Sequence, residues 1–283
     1  MSDPWSLLEV ELVVADYFAM LRDELAGRPV DKSLHRRALH PLLNNRSEGS
    51  IEFKHQNISA VLINFDQPYI NGYKPRQNYQ GLLEQVVLEF GESDRQLAQV
   101  VANSAVLNPL ALPRNGFDNV MALMVEPPEA SGTAAERRRG VRPPIKGIDF
   151  VMRDAKNRTL GHNGEEWAQE FERRRLHDVE RRPDLAKRVE WVAQTQGDGL
   201  GYDIASFNSD ESPRLIEVKT TGLGKYFPFY VTENELRVSQ AETTRYHLYR
   251  VFDFAKEPHL YQLNGALSDV CRLEPTIYRA RVG

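Results

Sequence analysis

One cysteine, Cys271, in 283 residues excludes an internal disulfide framework and any zinc site built on thiolates. Histidines number seven, and none is spaced as a metal-ligand pair. No apolar run approaches the roughly 18 residues that a membrane span needs, and Met1 to Trp5 lacks the basic-then-apolar order of a secretory leader. The expectation is a cytoplasmic chain without a membrane partner. A surplus of positive charge is also missing. The net charge is −4, so contact with nucleic acid would have to rest on local patches. Residues 1–126 carry 11 basic and 16 acidic side chains, whereas 127–145 carry 4 and 2; only the second stretch has a positive balance. No repeat at the roughly 20–50-residue period of solenoids is visible.

What is present is an ordinary globular mixture, 41% hydrophobic and 27% charged, which excludes wholesale disorder. Its organisation divides at a stretch rich in proline and arginine, from Pro127-Pro128 through Arg137-Arg138-Arg139-Gly140 to Pro143-Pro144. The expected units are a helical domain at 1–126, a linker at 127–147 and a mixed domain at 148–283. In the first, Leu7, Leu8, Leu12, Ala15, Phe18 and Leu21 recur near the helical period. So does Leu34 to Leu43, and a third run spans Ile51 to Phe65. Three short helices with tight turns predict a trihelical unit of the kind that reads DNA, followed by a loop to Tyr79 and a helix over Gln80 to Phe90.

The last domain reads as helix (Gly161 to about His177), strand (Glu190 to Gln194), strand (Tyr202 to Phe207) and strand (Arg214 to Thr221). A helix opened by the capping box Thr232 to Glu235 follows, then strands at Tyr246 to Phe254 and His259 to Leu263. The fold class is α+β or α/β, a mixed sheet flanked by helices in the order αβββαβ.

Chemistry concentrates at Asp203 and Glu217-Val218-Lys219. Alternation along a strand points Glu217 and Lys219 one way and Val218 the other. A hairpin from Tyr202 to Lys219 brings Asp203 beside Glu217. Two carboxylates so placed repel one another, and a divalent cation with oxygen ligands relieves the repulsion. The lysine can position a metal-bound water or steady charge on a phosphate. Such a set fits a metal-dependent phosphodiesterase. A bare Glu-x-Lys fits a solvated strand pair as well.

Larger blocks surround these residues: Gly164-Glu165-Glu166, Trp191-Val192-Ala193, Gly197-Asp198-Gly199-Leu200-Gly201-Tyr202-Asp203, Ile216-Glu217-Val218-Lys219-Thr220-Thr221, Asn234-Glu235 and Tyr246 to Phe252. Over roughly residues 155–280 they resemble the domain shared with the plant protein NO VEIN, which is related to the Mrr-like branch of the PD-(D/E)XK nuclease superfamily. The resemblance implies a restriction-endonuclease-like fold in which Asp203, Glu217 and Lys219 are catalytic, joined by a helical glutamate. Glu165 takes first place through the family's Gly-Glu step and Glu166 second, since periodicity leaves Glu165, Glu166 and Glu170 all at the margin of the apolar arc. It further implies Mg²⁺ (or Mn²⁺) held by Asp203, Glu217 and the Val218 carbonyl, with Lys219 orienting the attacking water. The activity implied is a DNA endonuclease of restriction or antiviral-defence type, working alone or with defence-system subunits; separately, cutting two strands with one active site per chain would favour a homodimer by two-fold symmetry. A non-catalytic binding module on the same fold and an RNA-directed nuclease are the rival readings.

The segment Ile51 to Leu62 with Gly72-Tyr73-Lys74-Pro75 resembles regions beside prokaryotic restriction-type nucleases. DNA contacts are expected there from Arg36, Arg37, Arg46, Lys54, His55, Asn57, Lys74 and Arg76, and from Asn234 at the groove of the second domain. Arginine and lysine meet phosphates, and asparagine reaches base edges. The Arg137 to Arg139 and Arg173 to Arg175 runs fit solvated faces, and Trp167, Trp191 and His247 fit the core.

Overall fold

The computed structural model describes residues 4–103, 117–129, 150, 154 and 157–276. Ser6 begins the first helix with a capping box. Its hydroxyl accepts the Glu9 N–H at 3.3 Å, and the Glu9 carboxylate accepts the Ser6 N–H at 2.9 Å. Helix α1 (Leu7–Leu25) then buries Val10, Val13, Val14, Tyr17, Phe18 and Leu21, a stripe at helical spacing that keeps Phe18 and Leu21 of the expected set but leaves Leu7 and Leu8 exposed. Around it pack α2 (Lys32–Leu39), α3 (Glu48–Asn64), α4 (Gly81–Ser93) and α5 (Arg95–Asn103).

The trihelical DNA-reading arrangement is not what these helices build. A recognition helix must offer one face to the major groove, yet α3 lies against α1, α2 and α4 and buries the unbroken run Asn57 to Leu62. It packs into the helical core beside α1, and α5 is a fifth helix that the sequence did not announce.

The second half follows the expected order. After α6 (Arg158–Arg174) come β1 (Glu190–Trp191), β2 (Ile204–Phe207) and β3 (Pro213–Thr220), then α7 (Glu233–Ala241), β4 (Tyr246–Phe252) and β5 (His259–Asn264). The sheet order is β1-β2-β3-β4-β5. Only β3 and β4 are parallel, and α7 lies in the connection between them. The first strand is shorter than the reading of Glu190 to Gln194, because the chain turns into a single helical turn at Val192–Gln196. All seven residues of β4 are buried, as expected of a central strand covered on both faces.

Two large apolar cores result. One fills the helical bundle; the other sets Trp167 and Phe171 of α6 against Ile204, Ile216, Tyr249 and Val251 of the sheet. Val120 and Leu123 belong to this second core, and the Val125 N–H donates to the Leu260 carbonyl at 2.9 Å. Of the 127–147 linker, residues 130–147, with the Arg137 to Arg139 cluster, lie outside the described residues. Among the described residues no helix is long and apolar enough to cross a membrane.

The connection between β3 and α7 ties the halves together. Leu223 and Phe227 are buried in the helical core, the Tyr226 N–H donates to the Tyr69 hydroxyl at 3.1 Å, and Asn71 donates to the Asp253 carboxylate at 2.8 Å. Phe227 is 1% exposed, so Phe227→Ala is expected to cost about 3–5 kcal/mol. Urea denaturation of the full chain checks this; a loss under about 1 kcal/mol would mean that the loop is not a core element.

Candidate active site

Antiparallel pairing of β2 with β3 sets Ile204 opposite Ile216, and the Asp203 N–H donates to the Ile216 carbonyl at 2.9 Å. One residue further along the same ladder, Asp203 stands by Glu217. The Asp203 carboxylate is fixed by the Val218 N–H at 2.7 Å. Glu217, 4% exposed, and Lys219 project from one face of β3, and the Lys219 ammonium lies 2.8 Å from the Glu217 carboxylate. The hairpin thus brings together all three residues singled out in the sequence.

Helix α6 contributes the fourth. It approaches β3 so closely that a Cβ on Gly164 would lie 1.8 Å from the Thr220 hydroxyl, a contact only glycine permits. That approach sets the helix rotation. Glu165 lines the cleft and accepts the Trp191 indole N–H at 2.7 Å, whereas Glu166 is exposed. The structure separates two glutamates that periodicity left level.

These side chains line one cleft of 760 Å³ between α6, the ends of β2 and β3, and the start of α7. Burial first, and then the charge of Glu165, pushes the Asp203 carboxyl up to about 7. Burial and the charge of Asp203 likewise push Glu217 well above the usual carboxylate range. For Lys219 burial works against the charge, but the carboxylates of Glu217 and Glu235 outweigh it and hold the ammonium protonated above its ordinary range. Acidic oxygen donors crowded in a buried place repel one another, and a hard divalent cation suits that donor chemistry. Among the described residues no three His, Cys, Asp or Glu side chains form a ready metal cluster, so the candidate donor set stays at Asp203, Glu217 and the Val218 carbonyl.

The same repulsion gives a stability prediction. Asp203→Asn keeps an acceptor for the Val218 N–H and removes one buried negative charge. It is expected to raise the melting temperature of the metal-free protein by roughly 2–4 °C, on the order of 1 kcal/mol. A lower value by differential scanning calorimetry would contradict the crowding.

Two further cleft positions lie within the blocks that carry the resemblance but were given no site role by the sequence. Glu235, also a helix-cap residue, sets its carboxylate 2.8 Å from Lys219. Arg250 lies in the strand expected at Tyr246 to Phe254, and the parallel register sets it beside Lys219. It lines the cleft and donates to the Phe227 carbonyl at 3.1 Å. Asn234 reaches the cleft as expected, though its amide is spent on the Gly199 carbonyl at 2.9 Å.

Four of the N-terminal DNA candidates are interior. Arg46 grips Glu9 at 2.7 and 2.9 Å, and both it and Lys54 lie over the Trp5 ring, each at 4.7 Å. The His55 ring meets the Tyr73 hydroxyl at 3.2 Å and lies 3.4 Å from Asp16. Asn57 donates to the Arg76 carbonyl at 2.7 Å. Their polar heads hold the bundle together and face no groove. Arg36 bridges Glu48 and Glu52 at 3.0 and 3.3 Å, Lys74 pairs with Glu129 at 2.9 Å, and Arg37 and Arg76 are exposed, the latter over the Phe53 ring.

Residues 164–263 match the family model described as Protein NO VEIN, C-terminal, a span that contains Asp203, Glu217, Lys219, Glu165 and Glu235. No curated protein and no solved structure matches the chain.

Proposed function

With the NO VEIN C-terminal domain matched over residues 164–263 as premise, we propose that this chain is a metal-dependent phosphodiesterase of the PD-(D/E)XK kind. It acts as a DNA endonuclease of restriction or defence type. The observation that carries the reading is the convergence of Asp203, Glu217 and Lys219 in one cleft, with both carboxyls pushed upward. Asp203, Glu217 and the Val218 carbonyl would hold Mg²⁺ or Mn²⁺. When bound, the ion supplies Lewis acidity toward a phosphoryl oxygen and lowers the pKa of its water.

The protein's own groups do the rest. Lys219 is kept protonated, so it acts as a donor: it orients the attacking water and steadies negative charge that develops on the phosphate. Glu165, held by Trp191, stands where it can orient further water or a second cation. Trp191, Tyr202 and Phe229 line the cleft and limit access of bulk solvent. A homodimer would let one active site per chain cut two strands.

The test is incubation of the purified full chain and Lys219→Ala with Mg²⁺ and supercoiled plasmid, modified and unmodified phage DNA, single-stranded DNA and structured RNA. Nicking of duplex DNA that EDTA stops is the expected result. Preference for RNA would move the substrate class, and binding without cleavage of any polymer would leave a non-catalytic module.

A further inference from the structure

Lys219 is gripped from two sides, and the two grips differ in kind. Glu217, 2.8 Å away, is also a proposed cation ligand, so its charge is shared between two demands. Glu235, likewise 2.8 Å away, comes from a different element, the first turn of α7. Its carboxylate also accepts the Thr232 N–H at 3.2 Å, while the Thr232 hydroxyl accepts the Glu235 N–H at 3.2 Å. Glu235 is therefore locked by the capping box before it meets the lysine, and its side chain is 12% exposed.

We propose that Glu235 is a positioning residue that anchors the Lys219 ammonium independently of Glu217, so that the helix cap of α7 sets where the catalytic lysine stands. The proposal rests on the reading of the cleft as a hydrolase site and names a further residue of it. A lysine tail carries much rotamer freedom, and one anchor already committed to a cation would leave the ammonium loosely aimed. The second anchor removes that freedom. It also links the catalytic strand to the helix that follows it, across a connection that helps to fill the helical core.

The charge can be removed without removing the cap, because glutamine at this position still accepts the Thr232 N–H. In Glu235→Gln, kcat for Mg²⁺-dependent nicking is expected to fall on the order of 10²-fold, with KM and melting temperature little changed. Thr232→Ala removes the hydroxyl half of the cap and leaves the carboxylate: it is expected to lower the melting temperature, and to lower kcat by less than Glu235→Gln does. A readout free of activity is the lysine ammonium ¹H–¹⁵N signal of the metal-free full chain, assigned by its absence in Lys219→Arg. It is expected to be protected from exchange in the parent, less protected in Thr232→Ala and lost in Glu235→Gln. An unchanged ammonium signal, or an unchanged kcat, in Glu235→Gln overturns the proposal. If the parent cleaves nothing, the hydrolase reading fails separately, and the ammonium signal alone decides whether the anchor exists.

Discussion

Lys219→Ala is expected to abolish measurable Mg²⁺-dependent nicking, a loss on the order of 10²–10³-fold or more, while affinity for DNA is unchanged within about twofold. The lysine is the only cation in contact with both Glu217 and Glu235 among the described residues, whereas Arg158 and Arg250 also line the cleft, so its removal takes the ammonium from between two carboxylates and leaves other cations for the anionic substrate. Ground-state binding spreads over many phosphates, whereas the ammonium acts where charge grows during the reaction. The variant therefore separates binding from chemistry. Gel shift and nicking assays on one DNA check this. Full activity in Lys219→Ala removes the residue from the mechanism.

Glu172→Ala is expected to be the most destabilising single change, about 3–5 kcal/mol. Glu172 is fully buried on the last turn of α6. It accepts hydrogen bonds from Arg175 at 2.8 Å through both oxygens, from Ser206 at 2.6 Å and from the Tyr249 hydroxyl at 2.6 Å. Arg214 stands 4.0 Å away. Taking the carboxylate out leaves Arg175 with the partly exposed Glu180 at 3.3 Å and strips Arg214 of the charge beside it.

The pH dependence has a definite sign. Burial alone would raise the Glu172 carboxyl, but the hydrogen bonds and charge of Arg175 hold it down at about 2, against an ordinary value of 4.5. A carboxyl depressed on folding contributes stability that is fully present above its unfolded pKa and lost as the pH falls toward the folded one. About 3 kcal/mol is therefore expected to disappear between roughly pH 5 and pH 2, and Glu172→Gln should flatten that limb. Urea midpoints across the range measure it; a parent stability that does not fall through this window would contradict the network. Glu9, brought to about 2 by Arg46, falls in the same window, so Glu172→Gln flattens part of the limb.

The C-terminal element order was legible because each signal is local: apolar alternation in β2 to β5, and Thr232 and Glu235 at their capping spacing. The Asp203 to Glu217 juxtaposition followed from hairpin register alone. What could not be read was any property set by a distant partner. Lys54 and Arg46 look like surface cations until Trp5, just ahead of α1, and Glu9, in its first turn, close over them. The choice of Glu165 over Glu166 depends on helix rotation, which the Gly164 to Thr220 approach sets. Glu235 meets Lys219 only because α7 lies in the connection that lays β4 alongside β3. The trihelical expectation failed for the same reason, since periodicity in α3 does not tell that the run Asn57 to Leu62 is buried without a break.

Capture of a divalent cation by Asp203 and Glu217 underlies every role assigned to the cleft. Mn²⁺ binding to the full chain, followed by electron paramagnetic resonance of the free ion, tests it without substrate or turnover. Saturable binding by the parent is expected, lost in Asp203→Asn and in Glu217→Gln, both still folded. Binding undiminished in Asp203→Asn, or none by the folded parent, would contradict it.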